Sequence, residues 1–267
     1  MSKIDHFVSE RQSLIYAQLQ RQGRVLAQEL AQGFDVSEDT IRRDLREMAA
    51  RGECQRVYGG ALLTPGKTIP LKARIAETPD RKAALGQAAA SLIKDGMTIF
   101  LDAGSTNLAI AKHLIKGLRL TVITNTPAIA AELTGQEGIE LIMIGGRIDP
   151  SVGAAFDTTA IRQLEQIRPD LCILGVCGLA LDRGLCADIY DDSIFKRLAC
   201  DASARTMAAV TSQKLGAAAP FQVYPLSPSL TLVLENDADR DMLDTLSASG
   251  AIIHQAEPPS TTSKIQQ

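Results

Sequence analysis

Two adjacent arginines, Arg42 and Arg43, stand early in a short amphipathic segment and have the chemistry of a nucleic-acid contact. A guanidinium can donate two parallel hydrogen bonds to a guanine edge, or it can clamp a phosphate. Adjacent residues of an α-helix point about 100° apart, so one arginine can contact bases while the other contacts the backbone. If Ile41 faces the core, Thr40 is also left near the exposed side of this helix.

A solvated helix face is the alternative interpretation of the same charges. Asp39 and Arg43, and also Arg43 and Glu47, have the i,i+4 spacing of surface ion pairs. Residues 1–60 hold nine basic and nine acidic side chains. Any DNA contact must therefore depend on local arrangement rather than on bulk charge. Spacing alone leaves both interpretations open.

The ribbon "CQRVYGGALL" follows the arginine helix and predicts a pair of short strands, or wing. Its basic and aromatic side chains, Arg56 and Tyr58, could contact phosphate or the minor groove. We therefore include both residues in the predicted DNA contact.

A second group of candidate residues lies in "IFLDAGSTNLAIAKHL", which predicts a strand, a Gly-Ser-Thr loop and a helix. A helix N-terminus with free backbone N–H groups and small hydroxyl residues is a natural anion site. Gly104 permits close backbone approach, and Ser105 and Thr106 supply donors. Because Ser and Thr also cap helices for structural reasons, the motif alone leaves a structural role equally open.

Two further loops, "VITNTP" and "IMIGGRIDP", follow the next two predicted strands. In a parallel sheet such loops emerge at the same carboxyl edge, where ligands of these folds bind. This placement predicts that further residues converge on the Gly-Ser-Thr loop, with Arg147 as a phosphate clamp. A plain turn is the alternative for the Gly-Gly pair. The converging residues are Asp102, Asn125, Gly145, Gly146 and Arg147.

Metal and cofactor sites are not indicated by the sequence. The five cysteines include no C-x-x-C pair, and the three histidines are scattered, so no ligand cluster of the usual spacing is present. Cys172 lies in an apolar run, which favours a buried free thiol. We expect no metal ion and no cofactor.

Three helical segments position the arginines. "FVSERQSLIYAQLQRQG" stops at Gly23, "VLAQELAQGF" stops at Gly33 as a left-handed cap, and "SEDTIRRDLREMAARG" stops at Gly52. Ser37 is a good N-cap for the third segment. A short helix, a tight turn and a capped helix form the plan of a helix-turn-helix, whose last helix enters the major groove.

The rest of the chain predicts an α/β domain. Residues 61–79 contain three prolines and a glycine without a sustained period and predict a linker. From Asp80 onward apolar strands alternate with helices, which indicates a parallel sheet covered on both faces. The expected fold is a winged helix-turn-helix at 1–60 and a Rossmann-like open, mostly parallel sheet at 80–255. Residues 256–267 predict a disordered tail. The predicted strands are "MTIFL", "LTVIT", "IELIMI", "LCILGV", "TMAAVT", "LTLVL" and "AIIH".

The sequence gives no membrane or export signal. No apolar run approaches the roughly 18 residues that a membrane helix needs, and "MSKIDHFVSERQ" lacks the apolar stretch of a signal peptide. We therefore expect a cytoplasmic protein without a membrane partner.

The stretch "VSEDTIRRDLREMAARGECQRVYGGA" closely resembles the signature of DeoR-type bacterial transcriptional regulators, and "GRVLAQELAQGF" before it also fits. The shared residues are the Val-Ser, the Thr-Ile-Arg-Arg-Asp-Leu and the closing Gly-Gly-Ala. The resemblance implies binding to double-stranded operator DNA. The family's recognition positions correspond to Ser37, Thr40, Arg42 and Arg43, and the basic residue of its wing corresponds to Arg56.

The second half resembles the sensor domain of the same family in its Asp-x-Gly-Ser-Thr, Thr-Asn and Gly-Gly-x loops, in "GVCGLALDRGLCAD" and in "DDSIFKR". That domain in turn resembles ribose-5-phosphate isomerase, so the implied effector is a phosphorylated sugar or polyol. Lys82 corresponds to a phosphate-binding lysine of those isomerases. Asp192 stands where the regulators have Glu, and Lys214 ends "TSQK" where they have Asp-x-Ser-Lys. Both side chains could still touch the ligand, and a surface charge is the alternative for each.

The resemblance implies binding without catalysis. The Asp-Gly-Ala-Asp segment of the isomerase corresponds to "GVCG", so both aspartates are missing. Its Lys-Gly-Gly-Gly corresponds to "DRGL", which lacks the lysine. Aldose–ketose isomerisation needs a positioned carboxylate base and groups that stabilise the enediolate. We therefore expect a site that binds and senses but does not turn over.

The expected function is that of a sugar-phosphate-responsive repressor, a dimer or tetramer that leaves its operator when the effector binds. By linkage, bound DNA must weaken effector binding by the same factor. One alternative is a sugar-phosphate isomerase with an appended DNA-binding module. Another is a DNA-binding protein whose second domain is empty and only oligomerises.

Overall fold

The computed structural model describes residues 11–16, 18–19, 24–51, 53–63, 71–217 and 219–258. The chain divides into two compact units. The N-terminal unit is formed mainly by Met1–Lys67, and the C-terminal unit by Thr68–Leu215 and Ala219–Gln267. In the described part of the chain, no helix combines the length and apolarity that crossing a membrane requires.

The N-terminal unit is a winged helix-turn-helix. Its three strands form an antiparallel sheet in the order β1-β3-β2. The helices bury a core that includes Leu30, Ile41, Leu45 and Met48. This arrangement confirms the fold predicted for the first 60 residues. The elements are α1 (helical residues 11–16 and 18–19), β1 (Arg24–Leu26), α2 (Ala27–Phe34), α3 (Glu38–Ala50), β2 (Cys54–Val57) and β3 (Gly60–Leu63).

Two local predictions in this unit were wrong. The second helix begins at Ala27 rather than Val25, because Arg24–Leu26 pairs with β3 instead. Gly33 lies inside α2, and Asp35 takes the left-handed conformation with φ 51°. A short polar residue such as Asp tolerates that conformation, so glycine is not required there. The predicted helix ends at Gly23 and Gly52 lie outside the described residues.

The Gly-Gly of the wing has a steric reason. Gly59 adopts a φ of +81° in the turn between β2 and β3, a conformation that costs glycine little. A Cβ at Gly60 would lie 2.0 Å from the carbonyl oxygen of Val25 on β1. The pair therefore lets the wing turn tightly while β3 lies against β1.

The C-terminal unit is built on a seven-stranded parallel sheet in the order β15-β14-β12-β9-β4-β5-β6. Phe100 and Cys172 belong to the apolar cluster on one face, while Ile99 and Ile173 belong to the other. The strands of this sheet are β4 (Thr98–Leu101), β5 (Leu120–Thr124), β6 (Ile139–Met143), β9 (Leu171–Ile173), β12 (Thr206–Val210), β14 (Leu230–Leu234) and β15 (Ile252–Gln255).

Helices and two smaller sheets complete this unit. The helices are α4 (Leu71–Ala76), α5 (Pro79–Ala90), α6 (Ser105–Lys112), α7 (Pro127–Leu133), α8 (Thr158–Leu164), α9 (Tyr190–Ala202) and α10 (Arg240–Ala248). One small sheet contains β10 (Gly178–Ala180), β11 (Gly184–Ala187) and β13 (Phe221–Tyr224), and the other pairs β7 (Ile148–Asp149) with β8 (Ala154–Ala155). Both small sheets are antiparallel.

The order of the large sheet creates one switch point. From β4 the chain moves to β5 and β6 on one side, and it later returns to β9 on the other side of β4. In open parallel sheets the crevice at such a point, beyond the carboxyl ends of the strands, is where ligands bind. The loops after β4 and β9 are therefore placed to form a site.

All seven predicted strands are present, two of them with the predicted ends, but shorter elements were missed. The expected linker at 61–79 contains the end of β3 and the whole of α4. Six residues are too few for a helical period to show in the sequence. Of the tail predicted at 256–267, residues 259–267 lie outside the described residues, and Ala256 is buried in the core.

Candidate functional sites

The N-terminus of α3 is fixed by its cap. Ser37 Oγ accepts a hydrogen bond from the backbone N–H of Thr40 at 3.2 Å, and the two hydroxyls lie 2.9 Å apart. Ser37 is therefore the N-cap that the sequence predicted, and it orients Thr40. Ile41, Leu45 and Met48 anchor the opposite side of the helix in the core.

A buried carboxylate ties α3 to α1. Asp44 is 2% exposed and accepts hydrogen bonds from Arg11 at 2.6 Å and from Gln12 at 3.1 Å. A buried carboxylate needs such partners, because an unpaired charge in the core is costly. The contact fixes the rotation of α3 and so determines which side chains face solvent.

The two predicted arginines lie on the exposed face, each held by a carboxylate of the same helix. Arg42 Nη2 lies 2.8 Å from Glu38 Oε2 and its Nη1 lies 3.5 Å from Asp39 Oδ1. Arg43 Nε lies 3.4 Å from Glu47 Oε1. The surface ion pairs foreseen as the alternative therefore exist, although Asp39 pairs with Arg42 rather than Arg43. Exposed pairs of this kind are weak, so a DNA phosphate can replace the carboxylate.

A third arginine of this face was missed by the sequence reasoning. Arg46 lies one helical turn beyond Arg42 and Arg43 and is exposed. Among the described residues it has no hydrogen-bond or ion-pair partner. Its i+4 spacing from Arg42 was the signal that could have identified it. The exposed face of α3 thus presents one unpaired and two loosely paired guanidinium groups.

The wing presents Arg56 and Tyr58 to solvent. Arg56 lies on β2 and is exposed, and Tyr58 in the following turn is fully exposed. The structure brings both residues to the surface, which a contact with DNA requires.

A cleft opens at the switch point of the large sheet, and we call it the sheet-edge cleft. It is lined by the Gly-Ser-Thr loop after β4, by Gly175 to Cys177 after β9, and by Asp192, Lys196 and Lys214. Five residues predicted from the sequence therefore come together here: Gly104, Ser105, Thr106, Asp192 and Lys214.

The Gly-Ser-Thr loop presents a helix N-terminus to the cleft. Gly104 is the N-cap residue of α6, and no side chain of the described residues caps this turn. The first N–H groups of a helix have no partner within it, so they are free for an anion. Asn107, which the sequence reasoning did not select, donates to the carbonyls of Asp102 at 2.9 Å and Ile173 at 3.1 Å. It thereby ties together the ends of β4 and β9.

Three buried charges lie at the base of the cleft. Lys196 Nζ lies 2.6 Å from Asp102 Oδ2 and 3.0 Å from Asp192 Oδ1, and all three side chains are nearly inaccessible. Asp102 also accepts the N–H of Gly175 at 2.9 Å. Burial raises the pKa of Asp192 to about 6 despite the neighbouring Lys196. Burial alone would lower the pKa of Lys196, but the two carboxylates outweigh it and raise the pKa.

Lys214 lines the same cleft as the N-terminus of α6. Its Nζ donates to the carbonyl of Val176 at 2.6 Å. Burial lowers the pKa of Lys214 to about 8, because the charged ammonium has lost much of its water. An anionic ligand would restore the balance and favour the charged form. Lys196 and Lys214 thus differ: the first is neutralised by carboxylates, and the second is available to a ligand.

Six predicted residues do not line the cleft. Asp102 lies beneath it, as described. Lys82 donates instead to the carbonyls of Arg74 and Glu77. Asn125 is buried and donates to Ala155 O at 3.1 Å. The remaining three are Gly145, Gly146 and Arg147.

The Gly-Gly pair and Arg147 form a turn between β6 and β7 that is bound to the N-terminus of α8. A Cβ at Gly146, whose φ is +148°, would lie 2.4 Å from Asp157 Oδ1. Asp157 is the N-cap of α8 and also accepts the backbone N–H of Arg147 at 3.1 Å. The Arg147 side chain is exposed. The plain turn considered as the alternative accounts for the Gly-Gly pair, and none of the three residues lines the sheet-edge cleft.

Arg74 of α4 lines the sheet-edge cleft, although its segment was predicted to be a linker. Its Nη2 lies near the carbonyls of Ser151 at 3.5 Å and Val152 at 3.4 Å. No sequence signal indicated this role, because α4 is short and lies far from the sheet-edge loops in the chain.

Comparison with known families divides the chain in the same way as the fold. The model of the DeoR-like helix-turn-helix domain matches residues 11–65. The model of the DeoR C-terminal sensor domain matches residues 77–236. The two matches together span the winged unit, the residues that line the cleft apart from Arg74, and most of the large sheet.

Several curated proteins are similar along most of their length. The HTH-type transcriptional regulator GolR of Listeria innocua is 30% identical over 254 residues, covering 94% of this chain and 100% of that protein. The HTH-type transcriptional repressor GlcR of Bacillus subtilis is 30% identical over 243 residues, covering 89% and 93%. The glycerol-3-phosphate regulon repressor of Escherichia coli is 32% identical over 210 residues, covering 78% and 83%.

Among solved structures, ribose 5-phosphate isomerase A from Methanocaldococcus jannaschii aligns with a TM-score of 0.39 and 18% identity. The alignment covers 52% of this chain and 55% of that one.

Proposed function

This chain belongs to the DeoR family of helix-turn-helix transcriptional regulators, and from that premise we propose that it represses a carbohydrate-catabolism operon and leaves the operator when a phosphorylated sugar or polyol binds. We place the effector in the sheet-edge cleft and the operator against α3 and the wing. We further propose that the protein works in the cytoplasm as a homodimer or homotetramer, because two-fold operators match paired recognition helices.

One observation carries the effector proposal: the free N-terminus of α6 and the Lys214 ammonium line the same cleft. Backbone N–H groups and a nearby cation are the usual receptors of a phosphate group. Asp192 lines the cleft as well and offers carboxylate oxygens to the hydroxyl groups of a sugar. A phosphate at one end and hydroxyls at the other are the features of a sugar or polyol phosphate.

The relatives support the same conclusion. The protein of Escherichia coli is named for glycerol 3-phosphate, and that of Bacillus subtilis is named a repressor. We therefore base the proposal of repression, and of a phosphorylated effector, on those names together with the chemistry of the cleft.

DNA contacts are proposed for seven residues with distinct tasks. Ser37 and Thr40 lie at the end of α3 that approaches base edges, and Arg42 and Arg43 supply bidentate donors. Arg46 contacts a phosphate farther along the helix. The wing residues, Arg56 and Tyr58, contact phosphate or the minor groove.

An isomerase is the second candidate, because Asp192 and Lys214 bring two perturbed pKa values, about 6 and about 8, into one cleft. The backbone argues against it. Gly175 stands at the start of "GVCG", and a Cβ there would lie 1.9 Å from the carbonyl oxygen of Ala103. A catalytic aspartate has no room at that position. We propose that the cleft binds without turnover.

The test is a fluorescence anisotropy titration of the full-length protein against labelled DNA from beside its own gene, at fixed salt. Phosphorylated sugars and polyols are then added one at a time. We expect specific binding that one compound weakens. Binding that no compound alters, in a protein that none of them stabilises against heat, would exclude the effector half of the proposal. Conversion of ribose 5-phosphate in a coupled assay would favour the isomerase.

A further inference from the structure

A short hairpin covers one side of the sheet-edge cleft, and we call it the strap, residues 148–155. It consists of β7, β8 and the turn between them, which Asp149 holds by accepting the N–H groups of Ser151 at 2.8 Å and Val152 at 3.1 Å. Val152 is buried against Ala103, the residue before the Gly-Ser-Thr loop. The strap therefore touches the loop on which the effector is proposed to bind.

The other side of the strap packs on α4. A Cβ at Gly153, whose φ is +78°, would lie 2.9 Å from a methyl group of Leu71. Arg74 reaches from α4 to the carbonyls of Ser151 and Val152. The Lys82 ammonium binds the carbonyls of Arg74 and Glu77 and so fixes the end of α4 on α5. Strap and α4 thus form one packed layer beside the cleft.

The contacts that Arg74 makes to the strap are weak and replaceable. Its guanidinium meets two neutral carbonyl oxygens at 3.4 and 3.5 Å, near the outer limit of a hydrogen bond. A phosphate oxygen is a stronger acceptor, because an ionised acceptor shortens and strengthens the bond. The guanidinium already lines the cleft, so a phosphate group there can compete with the strap for the same N–H donors.

We infer that Arg74 is an effector-binding residue that releases the strap carbonyls of Ser151 and Val152 when its guanidinium binds the effector phosphate. This inference rests on the proposed function of the cleft. It assigns to Arg74 the arginine role that the sequence had given to Arg147. The ligand class is a compound with a terminal phosphate, since the planar fork of an arginine matches two phosphate oxygens.

The exchange has a consequence for the chain that leads away from the winged unit. Among the described elements, α4 is the first after β3. When Arg74 gives up the strap, α4 loses two of its contacts on the cleft side. Effector binding then changes the contacts of the first described element after the wing. Arg74 is thus placed to affect both the affinity for the effector and the release of the protein from DNA.

The experiment uses full-length protein with glycerol 3-phosphate, fructose 1-phosphate, glucose 6-phosphate, ribose 5-phosphate and inorganic phosphate as probes. Thermal-shift titration gives the dissociation constant, and anisotropy gives the ratio of DNA affinities without and with saturating compound. We expect Arg74→Ala to raise the dissociation constant of the active compound about tenfold or more, as the loss of a charge-assisted bond should. We also expect the ratio of DNA affinities to fall towards one.

Two further variants separate ligand binding from a structural role. Arg74→Gln keeps a donor for the strap carbonyls but lacks the charge and the fork, so it should behave like Arg74→Ala. Arg147→Ala removes an exposed arginine outside the cleft and should behave like wild type. Both variants at position 74 should bind DNA without compound as wild type does, which shows that they fold.

The outcomes decide between distinct failures. If Arg74→Gln keeps the wild-type dissociation constant and ratio, Arg74 only ties α4 to the strap and the inference is overturned. If the dissociation constant rises but the ratio at saturation is unchanged, the proposed exchange is overturned. If no probe stabilises wild type, the proposed function of the cleft fails and the inference fails with it, before any variant is compared.

Discussion

The two functional regions differ in how the chain supplies their charges. The proposed DNA contact takes three of its four arginines from one helix of 13 residues, α3, and those side chains are exposed to solvent. The sheet-edge cleft gathers Arg74, Asp192 and Lys214 from three distant segments. Its central charges, Asp102 and Lys196, are almost inaccessible to solvent.

The difference in burial determines what each charge can do. An exposed pair such as Arg42 with Glu38 is worth little and exchanges partners readily. A buried pair such as Lys196 with Asp102 cannot lose one member without leaving the other uncompensated. Substitutions on the exposed face of α3 should therefore leave the stability almost unchanged and reduce the affinity for DNA. The base of the cleft should lose stability first.

Substitution of Lys196 should give the largest effect. Lys196→Met keeps the length of the side chain but leaves Asp102 and Asp192 buried without a cation. We expect the free energy of unfolding to fall by about 3–5 kcal/mol, the usual result of breaking a buried ion pair. Urea denaturation followed by circular dichroism measures it.

The matched control is Lys112→Met, at an exposed lysine of α6, which should change stability by less than about 0.5 kcal/mol. Adding Asp192→Asn to Lys196→Met should recover part of the loss, because one buried charge fewer is left unpaired. Equal stability of Lys196→Met and wild type would show that the three charges do not form a buried network.

Substitution of the recognition arginines should have the opposite result, with a loss of DNA affinity and little change in stability. Arg42→Ala and Arg43→Ala should each weaken specific DNA binding by about 1–3 kcal/mol, the worth of a bidentate contact, with unfolding almost unchanged. Fluorescence anisotropy at fixed salt measures the affinity for DNA. An active sugar phosphate should still stabilise both variants against heat. Arg162→Ala, at an exposed arginine of α8, is the control. A double-alanine variant that binds operator as wild type does would refute the recognition-helix assignment.

The same contrast explains what could be predicted from the sequence. A recognition helix is a contiguous segment, so its cap at Ser37, its apolar stripe and its exposed arginines follow from spacing alone. Parallel strands are also contiguous apolar runs, and "LTVIT" and "LTLVL" match β5 and β14 residue for residue. The two-residue strands of the strap and the six-residue helix α4 carry no apolar run or helical period of their own, and they were missed.

The composition of the cleft could be predicted only in part. The loop after β4 and the residues of "DDSIFKR" reach the switch point as parallel topology and family resemblance implied. Gly145 to Arg147 follow β6, the second strand from β4, and the N-cap of α8 binds the backbone N–H of Arg147. Lys82 is held by the carbonyl ends of α4. Which polar group lines a cavity and which supports its wall depends on tertiary packing, which residue spacing does not encode.

The pH dependence of effector binding should show that Lys214 belongs to the cleft. Burial lowers the pKa of this lysine to about 8, and an anionic ligand favours its charged form. Below pH 8 the ammonium is present before binding. Above pH 8 binding must take up a proton, so the affinity for a phosphorylated compound should fall by up to about tenfold per pH unit.

Calorimetric titration from pH 7.5 to 9.5 measures this effect, because a phosphate monoester completes its own ionisation near pH 6. Asp192, with a pKa of about 6, also titrates below this window. Lys214→Gln should bind more weakly and lose the slope. A slope that persists in Lys214→Gln would assign the proton to another group and remove Lys214 from the ligand contact.

The smallest expected effect tests whether exposed charges on α3 exchange partners. Glu38→Gln removes the carboxylate that lies 2.8 Å from Arg42 while keeping the size of the side chain. Because Arg42 then keeps only the longer contact to Asp39, DNA affinity should rise about twofold to fivefold, within the range of a surface ion pair. The gain should appear on specific and unrelated DNA alike, since phosphates compete for the same charge.

The control is Gln32→Glu, on the exposed side of α2. It adds one negative charge away from Arg42, and the resulting loss of DNA affinity measures how much a change in net charge alone alters binding. A loss of affinity in Glu38→Gln would mean that Glu38 itself contacts a base, and the carboxylate would then be a specificity determinant rather than a competitor of DNA.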